Sequence, residues 1–432
     1  MSVSPTTPAQ SHFNTPDRPT WDLYSRCIHC GLCLNFCPTY RALGLEADSP
    51  RGRIYQVLQV DAGRLSLAES FVTHIDRCLG CRACETACPS GVHYGAILER
   101  ARAEIDQNYQ RPWLDRKIRR YFYDKVIRDR GAMSFWARII RLYQRSGLQW
   151  LLRRSGMLGL IGLKDVEALT PKIDRKFFFD AIGKTFAPNG EVRATVAFLA
   201  GCIANVSFAE LNRKTIRVLN ENGVLVVVPE KQGCCGALHD HGGKLDDARQ
   251  MARVNIDAFL ELEVDAIVNN AAGCGAMMKE YGELLAHDPA YAEKARAFSA
   301  KVRDISEFLN DLGMKAPRRM VRRRVTYQDP CHLAHAQKIR SAPRQVLKAV
   351  GVDLVEMPRA DFCCGSAGTY NVTQNDLSMK ILAAKMDDVE STKADVIATA
   401  NVGCMLQLRA GVMKRELGME LKHVVELLDE AY

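Results

Sequence analysis

The sequence predicts a mixed α and α/β chain, in which a mostly helical N-terminal domain precedes two repeats of one α/β module built around Cys-Cys-Gly. Three observations predict it. Eight of the sixteen cysteines form two C-x2-C-x2-C-x3-C-P runs before residue 90; the other eight, after residue 200, repeat at a fixed offset; and a strongly basic, aromatic stretch separates the groups. A length of 432 residues is that of about three domains. With 47% apolar and 25% charged residues, disorder and collagen-like structure are excluded.

Residues 1–19 are rich in Ser, Thr and Pro and lack the apolar stretch of a secretory signal, so a flexible N-terminus and a cytoplasmic location are expected. The most apolar candidate for a membrane span, 148–163, carries Arg153 and Arg154 at its centre, where charge is costly in lipid. In a reducing compartment clustered cysteines read as metal ligands or redox groups rather than disulfides.

The first domain is expected over 20–110. Its runs are Cys27, Cys30, Cys33 and Cys37 before Pro38, and Cys78, Cys81, Cys84 and Cys88 before Pro89. This is the pattern of bacterial-type two-cluster ferredoxins, in which three thiolates of a run wrap one cluster and the fourth crosses to the other. Two [4Fe-4S] clusters are implied, one on Cys27, Cys30, Cys33 and Cys88, the other on Cys78, Cys81, Cys84 and Cys37. A zinc site needs four sulfurs and does not account for the full run twice over. Ser49-Pro50 followed by Ile54, Val57 and Leu58 predicts a helix with Pro in its first turn, and another is expected over 94–103. Arg51 and Arg53 at that helix start either pair with cluster or partner charge or are simply solvated. His29, His74 and His93 flank the cysteines as neighbours, not ligands.

A helical connector is expected over 111–190. Between 111 and 155, thirteen Lys or Arg face three Asp, a net of +10 in a chain of +9, so the remainder is at −1. Trp113, Tyr121, Phe122, Tyr123, Phe135, Trp136, Tyr143 and Trp150 are interleaved with these cations. Basic charge with aromatics at a polar–apolar boundary suits an anionic membrane surface or a partner protein, with Arg138, Arg141 and Arg145 as contact residues. A solvated connector is the alternative. No nucleic-acid recognition motif is present, and no nucleic-acid partner is expected.

Two modules follow, over 191–315 and 316–432. Cys202, Cys234, Cys235 and Cys274 recur as Cys331, Cys363, Cys364 and Cys404, displaced by 129, 129, 129 and 130 residues. Strands are expected over 195–199 and 324–327, each ending just before the first cysteine. A helix then follows, with Phe208, Leu211, Ile216 and Leu219 or Val346, Leu347 and Val350 on its apolar face, closed by Gly223 or Gly351. Second strands (224–228, 352–355) lead to the cysteine pairs, and third strands (265–269, 395–400) to the last cysteines. All the thiols then gather at the carboxyl ends of strands, where open α/β sheets place ligands. Each set is a candidate for a further iron-sulfur cluster, zinc or a redox pair.

The Cys-Cys-Gly modules resemble the duplicated cysteine-rich domain of the heterodisulfide reductases. Their fusion behind a mostly helical two-cluster ferredoxin domain resembles the iron-sulfur subunit of bacterial glycolate oxidase. Matching stretches include Arg26 to Gly31, Pro50 to Tyr55, Asp76 to Cys78, Asp329 to His332 and Cys363 to Gly368. The reductase ends each module in C-x2-C, giving five thiolates, whereas Ala271 and Asn401 stand at the earlier position here and leave four. The resemblance implies an electron-transfer subunit of a glycolate dehydrogenase complex, with flavin and substrate on partner subunits and a quinone or other membrane acceptor. It would sit in the cytoplasm, peripheral to the inner membrane. The chain has no catalytic residue of its own on this reading, and no dinucleotide fingerprint or P-loop. The alternatives are a D-lactate or glycerol 3-phosphate dehydrogenase subunit and a heterodisulfide-type thiol-disulfide reductase.

Overall fold

The computed structural model describes residues 11–160 and 162–432. Of the N-terminus expected to be flexible, 1–10 lies outside the described residues, and 11–19 departs from the expectation. Phe13 is 2% exposed in the first core, and the amides of Asn14 and Thr15 donate to the Glu104 carboxylate at 2.9 and 3.1 Å. One aromatic anchor and two backbone donors pin a segment whose composition reads as loose.

The first domain is built on helices Pro50–Asp61, Glu69–Asp76 and Tyr94–Asn108. Pro50 opens the first of these, and Ser49 caps it by accepting from the Gly52 amide at 3.0 Å. Its Ile54, Val57 and Leu58 meet Phe71, Val72 and Ile75 of the second helix and Ile97, Leu98, Ala101 and Ile105 of the third. The three-and-four spacing puts each set on one face. Full burial of a side chain such as Phe71 contributes about 2 kcal/mol.

Helices Trp113–Tyr121, Arg130–Arg145 and Leu148–Arg154 follow. The first and third bury no residue and the second buries only Met133 and Ala137. Trp113 and Trp150 are each 62% exposed and Leu142 68%, with Lys117 and Arg154 stacked over the two tryptophans. Tyr123, by contrast, is buried against His239. Arg141 is no free contact residue: it donates to the carbonyls of Asp174 and Arg175 at 3.1 and 2.8 Å and lies over Phe177. Arg138 and Arg145 are exposed. No helix among the described residues is long and apolar enough to cross a membrane.

The strands are β1 (Thr185–Phe186), β2 (Ala194–Phe198), β3 (Val224–Val227), β4 (Ala266–Asn269), β5 (Val302–Asp304), β6 (Arg324–Gln328), β7 (Asp353–Glu356), β8 (Val396–Thr399) and β9 (Glu420–His423). The first sheet has the order β1-β3-β2-β4-β5 and the second β7-β6-β8-β9. Only β1, against β3, is antiparallel. The parallel pairs repeat between modules: β2 with β3 and β4 corresponds to β6 with β7 and β8. The fourth strands, β5 and β9, were not expected; each ends at the start of a helix whose capping box is Asp304 with Glu307 or His423 with Glu426. The modules pack on each other through reciprocal helix pairs. Helix Ala209–Glu221 of the first packs on Val424–Asp429 of the second, through Lys214–Glu426 and Arg217–Asp429 pairs at 3.2 and 3.0 Å, while Ile305–Leu312 packs on Ser341–Ala349. One apolar core runs through both modules.

Candidate metal centres

None of the sixteen cysteines forms a disulfide, and the fold gathers them into four sets. Cys27, Cys30, Cys33 and Cys88 line one cleft beside Arg51. Burial pushes the Cys27 thiol up, with Cys88 and Cys30 adding to it, and pushes Cys33 up to about 11. Arg51 is held over this set by Glu46 at 2.6 Å and by donation to the His29 carbonyl at 3.0 Å.

Cys37, Cys78, Cys81 and Cys84 are all buried. Burial raises Cys84 well above its ordinary value, and the nearby Cys81, Cys78 and Cys37 raise it further. Arg53 is buried beside this set, not solvated. It donates to the His74 carbonyl at 2.6 Å, to Thr39 Oγ1 at 3.2 Å and to Asp48 at 3.3 Å, and Thr39 Oγ1 is itself 3.2 Å from the Cys37 sulfur. Asp48 also holds His74 and Arg77 at 3.0 and 3.1 Å. His29 and His93 are exposed.

In the first module thiol contacts run from Cys202 to Cys234 to Cys235 to Cys274, and in the second from Cys331 to Cys363 to Cys364 to Cys404. Each vicinal pair is followed by a glycine whose geometry requires glycine. Gly236 has φ +87° and Gly365 φ +94°, and a Cβ at Gly365 would lie 2.5 Å from the Ser378 carbonyl. Cys274 and Cys404 sit in the first turn of helices Ala272–Lys279 and Val402–Lys414. Asn401, at the position of the missing fifth cysteine, donates to the Cys404 sulfur at 3.3 Å. Its counterpart Ala271 is buried.

Burial and the repulsion of neighbouring sulfurs both disfavour the anion, which is why Cys27, Cys33, Cys81 and Cys84 are pushed up. A soft cation or an iron-sulfur cluster among them reverses that balance, so the donor sets fit such a group.

The sets are not evenly spaced in the fold. Cys81 lies close enough to Cys331 and Cys363 for their charges to interact, and Cys81, Cys331 and Cys363 share one small core with Leu79, Tyr370 and Ile381. Thr86 meets His335 Nδ1 at 2.9 Å across the same boundary, and Tyr370 donates to the Arg77 carbonyl at 2.9 Å. Arg82 binds Glu85 and Glu280, tying the first domain to the first module. His332, next to Cys331, stacks on His241 at 5.2 Å and is pushed down to about 3 by burial, with His241 and Arg82 adding. The first-module set lies instead beside Arg128, Arg130 and Met133 of the connector. Sequence reading missed these bridging groups. Of these, Arg77 and His332 lie in the stretches Asp76 to Cys78 and Asp329 to His332 singled out above, but their partners are distant in sequence.

A family model described as a 4Fe-4S dicluster domain matches residues 24–92, and one described as a cysteine-rich domain matches 196–279 and 325–409. A third, the linker region of the glycolate oxidase iron-sulfur subunit, matches 114–170. The chain is 40% identical over 418 residues to the probable glycolate oxidase iron-sulfur subunit of Bacillus subtilis (strain 168), covering 94% of this chain and 93% of that one. It is 34% identical over 411 residues to the glycolate oxidase iron-sulfur subunit of Escherichia coli (strain K12), with the same coverage. Lactate utilization protein A of Halalkalibacterium halodurans is 30% identical over 236 residues, 54% of this chain and 96% of that protein. A dicluster domain, a matching linker and a duplicated cysteine-rich domain, aligned along 94% of its length, make this chain a member of the glycolate oxidase iron-sulfur subunit family.

Proposed function

We propose that the chain is the electron-transfer subunit of a glycolate dehydrogenase complex, receiving electrons from a flavin-binding partner and passing them to a quinone at the membrane. The observation that carries the reading is the sequence of thiol sets: Cys27, Cys30, Cys33 and Cys88, then Cys37, Cys78, Cys81 and Cys84, then Cys331, Cys363, Cys364 and Cys404, with Cys81 against Cys331 and Cys363. When bound to the first two sets, [4Fe-4S] clusters supply one-electron carriers whose potentials depend on burial and hydrogen bonding. The protein's own residues bury the second set and tune it. Arg53 places a buried positive charge beside Cys37 and Cys78, and Tyr94 donates to the Cys78 sulfur at 3.6 Å. The two modules hold a further iron-sulfur cluster or zinc on four thiols each.

The connector docks the subunit on the cytoplasmic face of an anionic membrane. Support comes from its exposed Trp113, Leu142 and Trp150 set among a net +10. The test of the whole reading is reconstitution. The isolated chain should not oxidise glycolate, and adding the flavin subunits should confer glycolate-dependent reduction of a quinone. Turnover of glycolate with an artificial acceptor by this chain alone overturns it. A D-lactate donor is the second reading, favoured by the lactate utilization protein A relatives. A preference for D-lactate over glycolate in the same assay would select it.

A further inference from the structure

We propose that the cleft between the first domain and the second module, next to Cys363, binds the headgroup of the quinone acceptor. The inference rests on the electron-transfer reading and gives it an exit site.

The cleft has a volume of about 320 Å³, at the lower end of the range for small-molecule sites. Phe36 and Pro38, which flank Cys37, and Arg41 line it from the first domain; Phe362, Cys363, Lys380 and Lys385 line it from the second module. It therefore touches segments that belong to two thiol sets at once. The rings of Phe36 and Phe362 stand 5.9 Å apart at 54°, and Arg41 lies over the Phe362 ring at 4.6 Å. Aromatic and aliphatic walls suit a flat apolar ring.

The polar groups of the cleft are almost all cationic. Arg41, Arg359, Lys380 and Lys385 face one acid, Asp388, and Arg359 is paired with it. Lys385 is 2% exposed, and its side-chain nitrogen donates to the Arg359 carbonyl at 2.6 Å and the Ala360 carbonyl at 3.3 Å within the wall. Cationic groups offset the negative charge that builds on carbonyl oxygens as electrons arrive. A ligand with two carbonyls on an aromatic-like ring satisfies both features. The corresponding approach to Cys234 in the first module is covered by Ile127, Arg128, Arg130 and Met133 of the connector and leaves about 40 Å³. Only the second copy is open to a molecule of this size among the described residues.

The reaction balances as glycolate plus quinone giving glyoxylate plus quinol. The quinone carbonyls gain two electrons, released by glycolate on the flavin subunit, and two protons, exchanged through water.

The test is fluorescence titration of the anaerobically prepared, iron-loaded chain with heptylhydroxyquinoline N-oxide, a quinone mimic quenched on binding. Saturable quenching is expected with the native chain. Ala384→Trp, which fills the cleft from an exposed helix position away from any cysteine, and Lys380→Glu should each weaken it at least tenfold at unchanged iron content. No saturable quenching by the native chain, or equal affinity in both variants, overturns the assignment. A separate readout keeps the two readings apart: if the mimic binds as expected but glycolate with the flavin subunits never bleaches the chain's visible absorbance, the electron-transfer reading fails and the site stands.

Discussion

Replacing Arg53 by Met should lower the reduction potential of the centre held by Cys37, Cys78, Cys81 and Cys84 and loosen the first domain around it. The guanidinium is 1% exposed and is bonded to the His74 carbonyl, Thr39 Oγ1 and Asp48. Burial alone would favour its neutral form. The sulfurs of Cys78 and Cys37, as thiolates, and the Asp48 carboxylate outweigh that and hold it protonated. Met keeps much of the volume and removes the charge. Breaking one partner of a buried pair costs about 3–5 kcal/mol. The low end applies, since Asp48 keeps His74 and Arg77. For the potential, a unit charge several ångströms away at an effective dielectric constant of about 20 contributes about 2 kcal/mol. For one electron that is a fall of roughly 90 mV. A redox titration followed by electron paramagnetic resonance, with iron content and the rate of iron loss on warming measured in parallel, reads all three. Arg51→Met, at a more exposed pair beside the other set, should shift its own centre by less. Full iron content with both potentials unchanged in Arg53→Met would refute the argument that this arginine tunes the second centre.

The two clusters predict about eight irons on the first domain, and Cys33→Ser should lose the first cluster; full iron and an unchanged reduced spectrum in that variant would count against it. Cys235→Ser and Cys364→Ser should each lower the metal content of a chain truncated before the first module, if that fragment folds, and of the full chain in any case; no loss in either would leave the modules as thiol sites without metal. Reversing Arg138 and Arg145 to Glu should weaken sedimentation with anionic vesicles, most visibly at low salt because exposed charge is screened over about 8 Å at physiological ionic strength. Unchanged binding would favour the solvated connector. The acid limb of stability carries two opposed groups at equivalent helix starts. His423 is pushed down to about 4 by burial, so its contribution is full above pH 6.5 and is lost as pH falls towards 4. Asp304 is pushed up to about 6 by burial, so its contribution is full below 3.8 and is lost as pH rises through 6. Between pH 4 and 6 the two offset each other. His423→Asn should therefore make thermal stability fall with rising pH in that window, and Asp304→Asn should make it rise; identical pH profiles for both variants and the native chain would contradict the assignment.

Much of this architecture was legible because its signals are local. Cysteine spacing fixes which sulfurs share a turn, and a constant offset of 129 or 130 residues survives whatever the intervening helices do. Ser49-Pro50 and Gly223 mark helix ends through backbone chemistry within a few residues. What escaped was set by contacts distant in sequence. Asn14 and Glu104 are 90 residues apart, the Tyr123–His239 contact spans the connector and the first module, and the reciprocal docking of Ala209–Glu221 on Val424–Asp429 exists only once both modules are folded. Strands β5 and β9 were missed because they are short and sit at sheet edges, where Val302–Asp304 and Glu420–His423 carry charged residues in place of an apolar run. Arg53 read equally as solvated or paired because its partners, Asp48 and His74, lie on other elements.

The most direct test of the account is to follow the visible absorbance of the iron-loaded chain under anaerobic conditions on adding glycolate, first alone and then with the flavin subunits. The account predicts no change alone and bleaching once the flavin subunits are present. Bleaching by glycolate without them, or none with them at full iron content, would contradict it.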